Sequence, residues 1–298
     1  MNSFLPAYFT ESVTRQYGTD AAERIFEGMA GRRKASLRVN RLKAEPADVE
    51  KALTENGIAY ERMSWWEDAF LLPNTMESEL WKLPIYEQGG VYLQSLSSML
   101  PPLALEPKAG ADILDMAAAP GGKTAQMASL TGNKANITAC EINKIRAEKL
   151  QYNLQKQGAT RVNVMVRDAR KLEDFFRFDQ ILLDAPCSGS GTMLESDPRT
   201  TRAFSEKLVR NSAATQLQLL KKALTLLKSG GTMVYSTCSI LEMENENVVK
   251  AALKGVKAEI VPIEIPDLPL LPTSLPGALC VCPTDSYEGF FMAKIQKK

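Results

Sequence analysis

From about residue 111 onward, short apolar runs alternate with longer stretches of helical periodicity, and this alternation constrains the fold more than any other feature of the sequence. The apolar runs are Asp112–Met116, Asn136–Ile142, Val162–Arg167, Gln180–Asp184 and Thr232–Ser236. Helical patterns lie between them at Thr124–Leu130, Lys144–Gln157 and Glu206–Leu227, the last followed by Gly230-Gly231 as a stop signal. Strands separated by helices pair in parallel, and a parallel sheet is covered by helices on both faces. Glu259–Ile263 and Gly289–Ile295 complete the pattern as a final strand pair. The expected fold class is therefore α/β.

Residues 1–85 read differently. Ser12–Gly28 has helical character, Ser36–Asn40 alternates like a short strand, and Pro46 opens a helix over Ala47–Asn56 that Gly57 ends. Trp65, Trp66, Phe70–Leu72 and Trp81 supply the apolar mass of a small core. The pattern changes between Pro84 and Gly90. This predicts a small α+β region over 1–85 and a larger domain over 86–298.

The bulk composition excludes several classes. The chain contains no histidine, which removes Ser-His-Asp and Cys-His catalysis and every histidine-ligated metal site, and no metal is expected. The formal net charge is only +1, so any nucleic-acid surface must be local. No apolar run approaches the roughly 18–20 residues that span a bilayer. The opening MNSFLPAYFTESVTRQYG has acidic and polar residues where a signal peptide needs a basic and then an apolar stretch. A cytoplasmic location is expected. Five cysteines, an odd number, argue for free thiols.

Asp112-Ile113-Leu114-Asp115-Met116-Ala117-Ala118-Ala119-Pro120-Gly121-Gly122-Lys123-Thr124 reads as a strand, a turn of small residues and a helix start. Small residues let backbone N–H groups approach a ligand closely. In an open α/β sheet such a turn lies at the ligand-binding edge. A ligand-free turn would not need so many consecutive small residues. A phosphate-cradling loop is nearly satisfied by Gly122-Lys123-Thr124, with Asp184 as a magnesium-binding strand end, but Ala117 stands where its first glycine belongs. A nucleoside-cofactor loop needs carboxylates at the next strand ends. Glu141 can serve ribose hydroxyls and Asp168 an adenine amino group, and a phosphate loop requires neither.

Cys187, in Asp184-Ala185-Pro186-Cys187-Ser188-Gly189, follows the fourth strand, and Cys238, in Ser236-Thr237-Cys238-Ser239, follows the fifth. Both belong to the edge that carries the small-residue turn. Cys140, Cys280 and Cys282 read as packing residues. A Cys187–Cys238 disulfide is compatible with the geometry but disfavoured in a reducing compartment. One chemistry that needs a thiolate here is substitution at C5 of cytosine. Addition of sulfur at C6 makes C5 nucleophilic, and Asp184 would hold the ring as charge develops. These residues alone do not choose which thiol attacks.

The segments AAAPGGKT, DAPCSGSG and YSTCS, in that order, resemble the Nop/Sun family of S-adenosylmethionine-dependent RNA 5-methylcytosine methyltransferases. The similarity covers about residues 31–298. It includes Ser36–Asn40 as an RVN-like segment, Gln94–Leu100 (QSLSSML), Asn245–Asn247 and Glu288–Phe291. One departure is Ser95, where the family commonly has an acid. The resemblance implies a seven-stranded Rossmann-like methyltransferase sheet behind a small N-terminal RNA-binding domain. It implies S-adenosylmethionine held by Ala117, Ala118, Ala119, Pro120, Gly121, Gly122, Lys123, Glu141, Asp168 and Asp184. It also implies Cys238 as nucleophile, Cys187 assisting product release, and Asp184 and Lys123 in the catalytic set.

The run Arg32, Arg33, Lys34, Arg38, Arg41, Lys43 contains no acid between Gly31 and Lys43. Beside an RVN-like strand it is expected to grip RNA phosphates, with Arg32, Arg33, Lys34, Arg38 and Asn40 as the contacts. The target, rRNA before tRNA, is a cytosine in a loop or an opened strand, since a base inside a duplex must be turned out to reach a thiol. Two readings from other classes compete: a P-loop-like nucleotide hydrolase, and an RNA-binding protein with a degenerate cofactor pocket.

Overall fold

The apolar runs become strands because the interior ones bury most of their residues, while Val162–Val166 forms a half-buried edge strand. A computed structural model describes residues 4–298; the first three residues of the opening stretch read above for targeting lie outside the described residues. The small sheet consists of β1 (Ala35–Val39), β2 (Glu61–Arg62), β3 (Ala69–Leu72) and β4 (Val91–Leu93), in the order β2–β3–β1–β4. All its pairings are antiparallel.

The larger sheet contains β5 (Asp112–Asp115), β6 (Asn136–Glu141), β7 (Val162–Val166), β8 (Phe178–Asp184), β9 (Leu227–Thr237), β10 (Ala258–Val261), β11 (Leu270–Leu271), β12 (Leu279–Val281) and β13 (Phe290–Lys297). Its order is β11–β12–β13–β9–β8–β5–β6–β7, with β10 also paired to β13. The strands β5 to β9 are mutually parallel, and β13 runs antiparallel to β9. The seven expected strands are thus present as β5–β10 and β13, and the short pair β11 and β12 extends one edge.

Alternation along each central strand feeds two cores. Ile181, Leu183, Met233 and Tyr235 point to one face, and Leu182 and Val234 to the other. The first face is covered by the long helix Glu206–Leu226, by the helix Glu246–Leu253 and by the first two helices of the chain. The second is covered by Leu96–Leu105 and Gly122–Leu130. No helix among the described residues is long and apolar enough to cross a membrane.

Four expectations need correction. The helix expected at Ser12–Gly28 is two helices, Ala7–Tyr17 and Thr19–Ala30, broken at Gly18 with φ 80°. Both lie in the larger core, where Phe9, Val13, Ile25 and Met29 are buried. The small sheet also reaches past residue 85, because β4 pairs with β1 through Val39↔Val91 and Leu37↔Leu93. The helix Glu206–Leu226 passes directly into β9, so Gly230 and Gly231 lie inside that strand rather than after a helix. Finally, Trp81 is 51% exposed and adds nothing to the small core, while Trp65 packs toward the larger sheet and donates to the Tyr287 hydroxyl (2.8 Å).

Candidate functional site

The chain runs from β5 outward through β6 to β7, then returns to β8 on the other side of β5. This reversal opens a crevice at the carboxyl ends of β5 and β8, where ligands of open α/β sheets bind. Every residue singled out on sequence grounds for catalysis or cofactor binding belongs to this edge.

The turn after β5 carries Ala117, Ala118, Ala119 and Pro120 into Gly121 and the helix Gly122–Leu130. The Ala119–Pro120 peptide is cis. Gly121 has φ 109°, a backbone conformation that favours glycine, and a Cβ there would press on the Leu150 side chain. At the turn's base the Asp115 carboxylate accepts from the Thr124 hydroxyl (2.7 Å). Burial pushes the Asp115 pKa up to about 6.

Lys123 leaves the start of that helix and reaches across the crevice. Its Nζ lies 2.7 Å from Asp184 Oδ2 and donates to Ser98 Oγ (2.6 Å). Burial alone would lower the Lys123 pKa, but the charges of Asp184 and, more weakly, Cys238 and Asp115 raise it. The other oxygen of Asp184 accepts from Ser236 Oγ (2.8 Å), which ties the end of β8 to the end of β9. Lys123 and Asp184 therefore form an oriented ion pair.

The two cysteines meet beside this pair, with Sγ of Cys187 3.0 Å from Sγ of Cys238. Both are free thiols. The hydrogen bond with Cys238, followed by burial and the Cys238 and Glu244 charges, drives the Cys187 pKa well above the ordinary thiol range. Cys140, Cys280 and Cys282 are buried, and burial raises the pKa of each thiol, which suits the packing role expected of them.

A cavity of about 300 Å³ is bounded by Ala117 and Ala119, by Glu141 and Asp168 at the ends of β6 and β7, and by Asp184, Cys187 and Cys238. A second cavity, of about 210 Å³, opens beyond Asp184 and is bounded by Tyr92, Gln94, Ser98, Pro120 and Lys123. Glu141 accepts from the Asn143 backbone N–H (2.9 Å) and faces Arg146 at 3.5 Å. Asp168 is held by Arg170 at 2.8 Å, which together with the Arg170 backbone N–H lowers its pKa. Strand-end carboxylates beside a small-residue turn match the donor and acceptor set of a nucleoside cofactor. A phosphate loop is not formed, since Lys123 is directed to Asp184 and Ser98.

The basic run behaves otherwise. Arg38 is completely buried; its Nε donates to Gln94 Oε1 (2.9 Å) and its terminal nitrogen to the Gly122 carbonyl (3.1 Å). Its guanidinium also lies 5.2 Å from the centroid of the Tyr92 ring. Asn40 is buried and donates to the carbonyls of Gly89 (2.8 Å) and Gln157 (2.7 Å). Neither residue is available to a phosphate, because β1 is the interior strand of the small sheet between β3 and β4. Arg33 donates to the carbonyls of Thr284 and Tyr287, Lys34 pairs with Asp285 (2.7 Å), and Arg41 pairs with Asp68 (2.6 Å) and with Glu45 and Glu67. Of the five expected contacts, Arg32 alone is exposed.

Sequence reasoning overlooked the residues that hold the thiols. Glu244 is buried, accepts from Ser188 and Ser239, and has its pKa raised by burial. Behind it, Gln16 and Tyr17 of the first helix donate to the Ile240 carbonyl (3.0 and 2.6 Å). Gln16 also accepts from the Glu242 N–H (3.0 Å). Their only sequence signal was proximity of the 239–245 segment to Cys238. Ser95, the departure from the family pattern, caps the helix Leu96–Leu105 and donates to Glu288 (2.6 Å), so a carboxylate reaches that position from β13's approach.

The chain matches the family described as 16S rRNA methyltransferase RsmB/F over residues 102–296, and an RsmF/B-like ferredoxin-like domain over residues 5–79. It is 37% identical to ribosomal RNA small subunit methyltransferase F of Shewanella loihica across 88% of this chain and 56% of that protein. It is 33% identical to the probable ribosomal RNA small subunit methyltransferase B of Bacillus subtilis, across 98% of this chain and 66% of that one. The chain thus spans between about half and two thirds of the length of these curated relatives. Among solved structures, a methyltransferase homolog protein from Pyrococcus horikoshii superposes with a TM-score of 0.83 at 33% identity, covering 99% of this chain and 100% of that one. On its sequence, its two matched regions and its fold, the chain belongs to the RsmB/F family of RNA methyltransferases.

Proposed function

We propose that this chain transfers the methyl group of S-adenosylmethionine to C5 of a cytosine in RNA, rRNA in preference to tRNA, through a covalent bond between Cys238 and C6 of the base. The observation that carries this reading is the pair of free thiols, 3.0 Å apart, on the wall of the cavity that Glu141 and Asp168 bound. The names of the relatives support rRNA as the substrate class.

S-adenosylmethionine bound between the Ala117–Lys123 turn, Glu141 and Asp168 would supply an electrophilic methyl group. The chain's own residues do the rest. The Cys238 thiolate adds to C6, the C5–C6 double bond opens, and electron density moves to C5 and toward N3. Asp184, oriented by Lys123 and Ser236, holds the pyrimidine edge as charge develops. After C5 has taken the methyl group, a base removes the C5 proton. The double bond reforms and Cys238 leaves as thiolate, with Cys187 assisting that release. RNA reaches this edge across Arg32 and the adjoining Arg199 and Arg202. The segment that carries those two arginines is tied to the Gly31 carbonyl by Ser196 Oγ (3.3 Å).

Cys238→Ala is expected to abolish methyl transfer while S-adenosylmethionine still binds, as read by calorimetry and by tritium transfer to RNA. Cys187→Ser is expected to accumulate a protein–RNA adduct that survives denaturing electrophoresis. Full activity of Cys238→Ala would refute the covalent route.

A further inference from the structure

The two thiols sit on different loops, joined in the backbone by the Ala185 N–H on the Ser236 carbonyl (2.8 Å) and the Gly191 N–H on the Cys238 carbonyl (2.9 Å). Ser190 Oγ lies 2.8 Å from Ser239 Oγ and accepts from the Ile240 N–H (3.1 Å), and the residues that directly follow the two cysteines also meet on one side chain. Glu244 is fully buried. Its Oε1 accepts from the Ser188 backbone N–H (2.7 Å), and its Oε2 accepts from Ser188 Oγ (2.6 Å) and Ser239 Oγ (2.6 Å). Ser188 immediately follows Cys187, and Ser239 immediately follows Cys238. Gln216, from the long helix, donates to Glu244 Oε1 (3.4 Å) and to the Pro186 carbonyl (2.9 Å), so it also holds the residue before Cys187.

Among the described residues no cation is paired with Glu244; its hydrogen bonds come from neutral donors. A buried carboxylate with neutral donors is costly unless each lone pair is used, and here the donors converge from both loops. If the fold needed only to join the loops, apolar contact would serve at lower cost.

We propose that Glu244 is a positioning residue for the reaction, setting the separation of the Cys187 and Cys238 sulfurs by holding the residue after each cysteine on the two oxygens of one carboxylate. This rests on the two-thiol reading proposed above. C5 and C6 of a pyrimidine are adjacent atoms, so a sulfur bonded at C6 and a second group serving release of the same adduct must lie within a few ångströms. A carboxylate with two acceptor atoms and a fixed bite sets that spacing, whereas a glutamine in its place would turn one N–H₂ toward a serine donor.

The test is Glu244→Gln in the full chain, with Ser188→Ala and Ser239→Ala as single-arm variants that keep the buried carboxylate. A displacement near 1 Å at reacting atoms costs about 10²-fold. Glu244→Gln is therefore expected to lower kcat by about that factor, with KM for RNA and affinity for S-adenosylmethionine within about twofold of wild type. Each serine variant is expected to lose less. In rapid-quench gels the fraction of enzyme trapped as RNA adduct should change with kcat, because formation and release are both misaligned. A wild-type kcat in Glu244→Gln would overturn the proposal. So would parallel collapse of cofactor affinity and kcat, which marks a role in folding alone. Cys238→Ala separates the two readings: if that variant stays active the covalent route has failed, whereas if it is dead and Glu244→Gln is unimpaired only the positioning role has.

Discussion

Arg38 and Lys123 lie on either side of one turn, the first bonded to the carbonyl of Gly122 and the second next to Gly122 in the chain. Both are cations largely withdrawn from water, and the molecule treats them in opposite ways. Arg38 meets neutral partners, Gln94, a backbone carbonyl and the face of Tyr92, and burial lowers its pKa to about 10. Lys123 meets Asp184 at 2.7 Å, and the carboxylate raises its pKa against the effect of burial. Arg38 is a strut under the turn, and Lys123 is half of an ion pair that faces a cavity. What a buried charge is paired with, more than the charge itself, separates scaffold from chemistry.

The strongest way to break this comparison is Asp184→Asn. If the pair works as described, kcat falls by about 10²–10⁴-fold, the range for a lost proton-handling or charge-holding group, and a fall of less than tenfold in single-turnover assays would reduce Lys123 to a second strut. Arg38→Ala should act on stability instead. It deletes a completely buried side chain and leaves Gln94 and the Gly122 carbonyl unmatched, so unfolding in urea should come about 3 kcal/mol easier, with the salt dependence of RNA binding unchanged.

Asp115 extends the contrast to a carboxylate. Its pKa is about 6 in the fold against a usual 3.8, so the folded state holds the proton more tightly. Its contribution is therefore favourable below pH 4 and is lost as pH rises through 6, to a cost of about 3 kcal/mol at most. Asp115→Asn should be more stable than wild type at pH 8 and equal to it at pH 4, as measured by denaturant titration. The smallest effect is expected at the exposed end of the basic run. Arg32→Ala should leave stability untouched and reduce by about one the slope of log affinity against log salt for RNA.

The same contrast explains what was legible in the sequence. Strands β5, β6, β8 and β9 declared themselves because the sheet's interior is covered on both faces and leaves apolar runs, whereas the edge strand β7 showed only through its β-branched residues. Glu141, Asp168, Asp184 and both cysteines were legible because a parallel sheet puts successive strand ends at one edge. The basic run misled, since Arg38 and Asn40 alternate within a strand just as surface residues do; only the pairing of β1 with both β3 and β4 buries them. Glu244 was invisible for another reason. It stands in Leu241-Glu242-Met243-Glu244-Asn245-Glu246, a stretch that reads as solvated, and its partners Ser188 and Gln216 lie 56 and 28 residues away.

The brace formed by Gln16 and Tyr17 on Ile240 also bears on how the chain is made. The contact spans 224 and 223 residues, among the longest separations in the fold. At synthesis rates of about 5–20 residues per second, the first helices wait roughly ten to forty seconds before the loop they brace has left the ribosome. Until β5 and β8 have been made, Phe9, Val13, Ile25 and Met29 have no sheet to cover them. Bracing the segment behind the thiol pair thus requires closure of a loop of 223 residues. A nascent chain stalled before β8 would present an apolar helical hairpin to chaperones.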